Sequence, residues 1–105
     1  MNARALVLAV DVGGTKLETA MVDAEGGVIA GTRHRAPTGP ATDAASLDAA
    51  LRDAIARTLA SSPTAPVAAG IGTAGPVDLP AGTTSPLNLP RAAEVPIVRP
   101  VAAAS

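Results

Sequence analysis

The chain has 105 residues with eight basic and nine acidic side chains, a formal charge of −1, so it lacks the positive field with which proteins hold nucleic acid or an anionic membrane. It has no cysteine and no Phe, Tyr or Trp, which excludes disulfides, thiolate metal ligands and aromatic stacking on bases or sugars. Of its apolar residues 25 are alanine and only 23 are Val, Leu or Ile, and a small domain buries only about 60% of its extended-chain surface, so a thin core is expected.

Ala5 to Val10 is continuously apolar and reads as a strand buried on both faces. It is too short for a signal sequence and runs into Asp11 rather than a cleavage site, and the chain has no apolar stretch of about 18 residues, which points to a cytoplasmic protein without a membrane span. Asp11 to Thr15 is a turn. Lys16 to Asp23 alternates, setting Leu17, Thr19 and Met21 against Glu18, Ala20 and Val22, and predicts a second strand. Asp23 to Gly27 carries turn residues, and Val28 to Arg35 predicts a third strand, completing an antiparallel meander. The single histidine, His34, lies between Arg33 and Arg35 and reads as solvated.

Pro37 to Pro40 reads as a linker. A helix is predicted from Thr42 or Asp43 to Ala60, because Leu47, Leu51, Ile55 and Leu59 recur at every fourth position. Asp48–Arg52 and Asp53–Arg57 form acid-first pairs on the opposite face. Val67 to Gly72 predicts a fourth strand. Beyond it, prolines recur at positions 76, 80, 86, 90, 96 and 100, a spacing that no helix tolerates, so Thr73 to Pro100 is expected to be loop or extended edge strand. Counting chain reversals makes the fourth strand parallel to the first. The loops that leave them emerge at one end of the sheet, where open α/β sheets bind ligands.

Three motifs carry chemistry. In Asp11-Val12-Gly13-Gly14-Thr15-Lys16, the glycines permit a tight turn whose N–H groups suit a phosphate; Thr15 adds a hydroxyl, Lys16 a charge, and Asp11 a carboxylate for Mg²⁺, directly or through water. Gly70-Ile71-Gly72-Thr73-Ala74-Gly75 matches GxGxxG, but Pro76 and Pro80 replace the helix that a dinucleotide site requires. In Gly82 to Pro90, Asn88 sits between prolines, its amide able both to donate to and accept from sugar hydroxyls.

In this order and spacing the three motifs resemble the ROK family of sugar kinases and sugar-responsive repressors, with the nearest likeness to its bacterial glucokinases. LAVDVGGTKLETAMVDAEGGVIA resembles the family's phosphate loop and first hairpins; GIGTAGPVD and AGTTSPLNLP resemble its sugar-side loops. The resemblance covers residues 5–98. It implies the N-terminal part of an actin-like ATPase domain of ribonuclease-H-like topology, α/β with a mixed sheet and one main helix. Residues 5–72 would form the strands and helix, and 73–100 the sugar-side segment. It further implies that Asp11, Gly13, Gly14, Thr15 and Lys16 line the phosphates of ATP, with Mg²⁺ at Asp11. Gly75, Pro76 and Asn88 would lie near a hexose such as glucose, and the complete protein would form a homodimer.

The family's catalytic Asn-Asp motif, its Glu-x-x-His sugar motif and its cysteine-rich zinc motif do not occur in these residues. The expectation is therefore an N-terminal fragment of an ATP-dependent hexose kinase, inactive alone, without a zinc site. Two alternatives stand beside it. One is a fragment of a sugar-responsive repressor, for which residues 1–4 leave no helix-turn-helix and the chain has no basic patch. The other is a binding module without catalysis.

Overall fold

The structure, a computed structural model, describes residues 5–73 and, beyond them, the strands Val77–Asp78, Thr83–Thr84 and Val95–Pro96. Alternation of side chains along the first two strands decides which side of the sheet is covered. β1 (Val7–Val12) and β2 (Lys16–Val22) pair antiparallel, with Val7 opposite Val22 and Val12 opposite Leu17. Leu8, Val10 and Val12 of β1 and Leu17, Thr19 and Met21 of β2 are buried on one face. On the other, Val7 and Ala9 are half-buried and Asp11 is exposed. The expectation of a first strand buried on both faces is thus corrected. Such burial needs a layer on each side, and among the described residues the one helix packs on one side.

That helix is α1 (Ala44–Ala60). Asp43 caps it in an extended conformation, its carboxylate accepting the Ser46 N–H at 2.8 Å. Leu47, Leu51, Ala54 and Ile55 are buried against β1 and β2, with Leu59 partly buried beside them. Fully burying a leucine contributes about 1.5–3 kcal/mol, so this stripe dominates the helix's attachment. The outer face carries Asp48–Arg52 and Asp53–Arg57, each at 3.0 Å as the spacing predicts. The helix ends at Ser61, whose N–H and hydroxyl both donate to Arg57 O.

The third strand differs from its expected bounds. β3 is His34–Pro37, paired antiparallel to β2 from Lys16–Pro37 to Thr19–His34, while Val28 makes an isolated bridge to Val22. The Asp23–Gly27 turn forms as expected, with Asp23 Oδ1 accepting the N–H groups of Glu25 and Gly27. Gly31, at φ +81°, then bends the chain away from β2. In the gap Thr32 replaces strand pairing: its hydroxyl accepts the Met21 N–H at 3.1 Å and donates to Ile29 O at 2.7 Å.

Thr32 also begins a polar seam beneath the helix. The Thr58 hydroxyl lies 2.8 Å from Thr32 O and 2.7 Å from the Thr19 hydroxyl, which reaches Ala54 O at 3.0 Å. His34 belongs to this seam rather than to solvent: it is half-buried, with Nδ1 3.0 Å from Thr32 O and 3.3 Å from Thr58 Oγ1. A carbonyl can only accept, so Nδ1 carries the proton. The seam ties α1, β2 and β3 together through groups that would otherwise be buried without partners.

β4 (Ala68–Thr73) pairs parallel to β1, Ala68 opposite Val7 and Thr73 opposite Val12. It begins one residue later than expected; Val67 precedes it, donating its N–H to Leu6 O. The sheet order is β3-β2-β1-β4, so β1 and β4 end at the same edge of the sheet, as the reversal count requires. β5 (Val77–Asp78), β6 (Thr83–Thr84) and β7 (Val95–Pro96) form a second, antiparallel sheet.

Candidate functional site

At that end of the sheet the hairpin between β1 and β2 takes an unusual form. The Gly13 N–H donates to Lys16 O at 2.9 Å, closing the chain around Gly14 and Thr15. A Cβ on Gly13 would lie 3.0 Å from Lys16 O, so glycine serves a close approach here rather than a left-handed φ. In an ordinary two-residue hairpin the bond would be returned, from the Lys16 N–H to Gly13 O. Among the described residues that return bond is absent, and Gly13 O accepts the Thr38 hydroxyl at 2.9 Å instead. Thr15 O accepts the Thr38 N–H, also at 2.9 Å. The turn is therefore held from the segment after β3, by a residue that no motif in the sequence singles out.

Asp11 lies two residues before this hairpin, exposed on the open face of the sheet and directly opposite Glu18. Like charges in such a pair repel. Glu18 is compensated by Arg35 Nε at 3.2 Å, Arg33 Nε at 3.7 Å and Lys16 Nζ at 3.8 Å. Each cation is about half exposed, so each contact contributes about 0–1 kcal/mol. Lys16 thus sits with Glu18 on the open face. Across from Asp11 stands Gly72 of β4, where a Cβ would lie 3.7 Å from Asp11 Oδ1. Ala9, Asp11, Glu18, Ala20, Gly70 and Gly72 line a depression of about 360 Å³ on this face.

The structure brings together Asp11, Gly13, Gly14, Thr15 and Lys16, as contiguous residues must be, and adds Thr38, Glu18 and Gly72 to them. Of the GxGxxG motif, Gly70 to Thr73 are strand, paired with β1. Gly75, Pro76 and Asn88 lie outside the described residues. Among the described residues no three His, Cys, Asp or Glu side chains converge as a metal site would require. The exposed Asp11 carboxylate beside a turn of backbone donors nevertheless fits a Mg²⁺ whose other ligands are phosphate oxygens and water.

A mixed sheet ordered β3-β2-β1-β4, crossed by one helix between β3 and β4, is the arrangement of an actin-like ATPase domain. Residues 7–105 match the model of the ROK family, and the chain belongs to that family. Among solved structures it is similar to the ROK hexokinase from Thermus thermophilus, with a TM-score of 0.71 and 28% identity, over 94% of this chain and 32% of that one. It is also similar to a ROK family glucokinase from Streptomyces griseus, solved in complex with glucose and AMPPNP. There the TM-score is 0.63 and the identity 29%, over 92% of this chain and 29% of that one. The chain spans about a third of the length of these relatives. No curated protein matches it.

Proposed function

We propose that the chain carries the ATP-phosphate loop and part of the sugar side of a hexose kinase, and that its 105 residues do not turn over sugar alone. The observation that carries this is the Gly13–Lys16 hairpin, whose Lys16 N–H is not paired back to Gly13 O, set beside an exposed Asp11. The S. griseus relative was solved with glucose and AMPPNP, which supports the choice of ligands. The Gly14, Thr15 and Lys16 amides and the Thr15 hydroxyl would hold phosphate oxygens, and the Lys16 ammonium would add charge. The Gly13 N–H is already engaged, so Gly13 serves by shape. Asp11 would hold Mg²⁺, directly or through water, and the ion would neutralise charge on the phosphates. Gly75, Pro76 and Asn88 would face the hexose. Phosphoryl transfer also needs an oriented, deprotonated nucleophile, and no residue here matches the family's base. The reading carries with it a cytoplasmic setting and, for the complete protein, a homodimer.

Titrating the isotope-labelled chain separately with Mg·AMPPNP and with glucose tests this. Mg·AMPPNP is expected to shift the Gly14, Thr15 and Lys16 amides, and glucose the Asn88 side chain. A coupled assay of ADP release should show no turnover. Loop amides that stay still at millimolar Mg·AMPPNP overturn the phosphate role, and measurable turnover overturns the inactivity. A response to glucose with none to nucleotide points instead to the family's sugar-responsive repressors.

A further inference from the structure

We infer that Thr38 is a positioning residue for the hairpin, holding the carbonyls of Gly13 and Thr15 on one side so that the amides of Gly14 and Lys16 face the other. The inference rests on the phosphate-loop reading and extends it to a residue outside the loop. Both carbonyls are bound by this one residue, Gly13 O by its hydroxyl and Thr15 O by its N–H, each at 2.9 Å. A trans peptide unit is planar, with its C=O and N–H directed oppositely. Fixing Gly13 O therefore aims the Gly14 N–H away from Thr38, and fixing Thr15 O does the same for the Lys16 N–H. Without the hydroxyl, Gly13 O is free to take the Lys16 N–H, as in an ordinary hairpin, which removes that donor from the ligand side.

Two features make this hold effective. Adjacent glycines leave the turn with more conformational freedom than any other pair, so donors become ordered only if something outside the turn orders them. Pro37 precedes Thr38 and pairs with Lys16; it has no N–H and a fixed φ, so Thr38 supplies the next backbone donor from an already constrained position. Donors held in place before binding spare the ligand the cost of ordering them.

The test compares Thr38→Val, which keeps the shape and the backbone N–H but removes the hydroxyl, with Thr38→Ser, which restores the hydroxyl. In the ligand-free chain, Thr38→Val is expected to lower backbone order parameters at Gly14 and Lys16 toward the flexible range, below about 0.6, with Thr38→Ser unchanged. Binding of Mg·AMPPNP is expected to weaken about fivefold in Thr38→Val, the worth of one neutral hydrogen bond, and to recover in Thr38→Ser. Unchanged order in Thr38→Val overturns the inference whatever the ligand does. A loosened hairpin with unchanged affinity overturns it as well, because the hold would then be structural only. If the unaltered chain ignores Mg·AMPPNP, the phosphate reading falls, while the ligand-free comparison still decides whether Thr38 orders the turn. Should Thr38→Val not fold, Thr38→Ala against Thr38→Ser makes the same comparison.

Discussion

The two faces of the sheet are built from the same strands, one residue out of step. Val10 is buried beneath α1, and its neighbour Asp11 stands exposed on the opposite side. Thr19 enters the buried seam, and its neighbour Glu18 gathers three cations on the open face. The covered face holds the large apolar side chains and the threonine–histidine contacts. The open face holds small apolar residues, the two carboxylates and the hairpin's charged members. Stability and candidate chemistry are thereby assigned to alternate residues of one short segment, and a substitution on one face leaves the packing of the other largely alone.

The largest effect that would break this division is expected on the covered face. Leu51 is fully buried, and Leu51→Ala should cost about 2–5 kcal/mol, a large share of the roughly 5–15 kcal/mol typical of a folded domain. Chemical denaturation would show it as a lower midpoint, and a loss under about 1 kcal/mol would mean that the core collapses around the gap. Thr58→Val is next. Thr32 O keeps the His34 Nδ1–H and the Thr19 hydroxyl keeps Ala54 O, so the loss should be about 1 kcal/mol, read from the same denaturation curves. The smallest effect belongs to the open face. Arg35 is about half exposed beside Glu18, and Arg35→Ala should cost under about 1 kcal/mol, less in high salt. A loss as large as that of Leu51→Ala would erase the distinction between the faces.

What the sequence disclosed was what local patterning determines. The helix and its two charged pairs follow from spacing within one element, and the β1–β2 pairing follows from alternation across a short turn. The third strand starts later than its β pattern predicts because two things outrank β propensity there: the left-handed Gly31 and the Thr32 hydroxyl that takes the Met21 N–H. His34 differs from the solvated reading because Thr58, one of its two partners, and the helix that covers it lie some 24 residues away in sequence. Nothing local marks Thr38 either, since its hydroxyl bonds a carbonyl 25 residues earlier. The candidate loop itself was legible, since glycines, a carboxylate and a lysine at those positions announce a turn of donors. What holds the turn was not legible, because it depends on where β3 ends.

β4 has a consequence beyond its pairing with β1. Among the described residues it stands at the border of its sheet, and its sequence, AAGIGT, contains neither a charge nor a proline, two of the devices that keep such borders from recruiting other strands. Where such a border is left uncovered, its unpaired N–H and C=O groups are a template for a further strand.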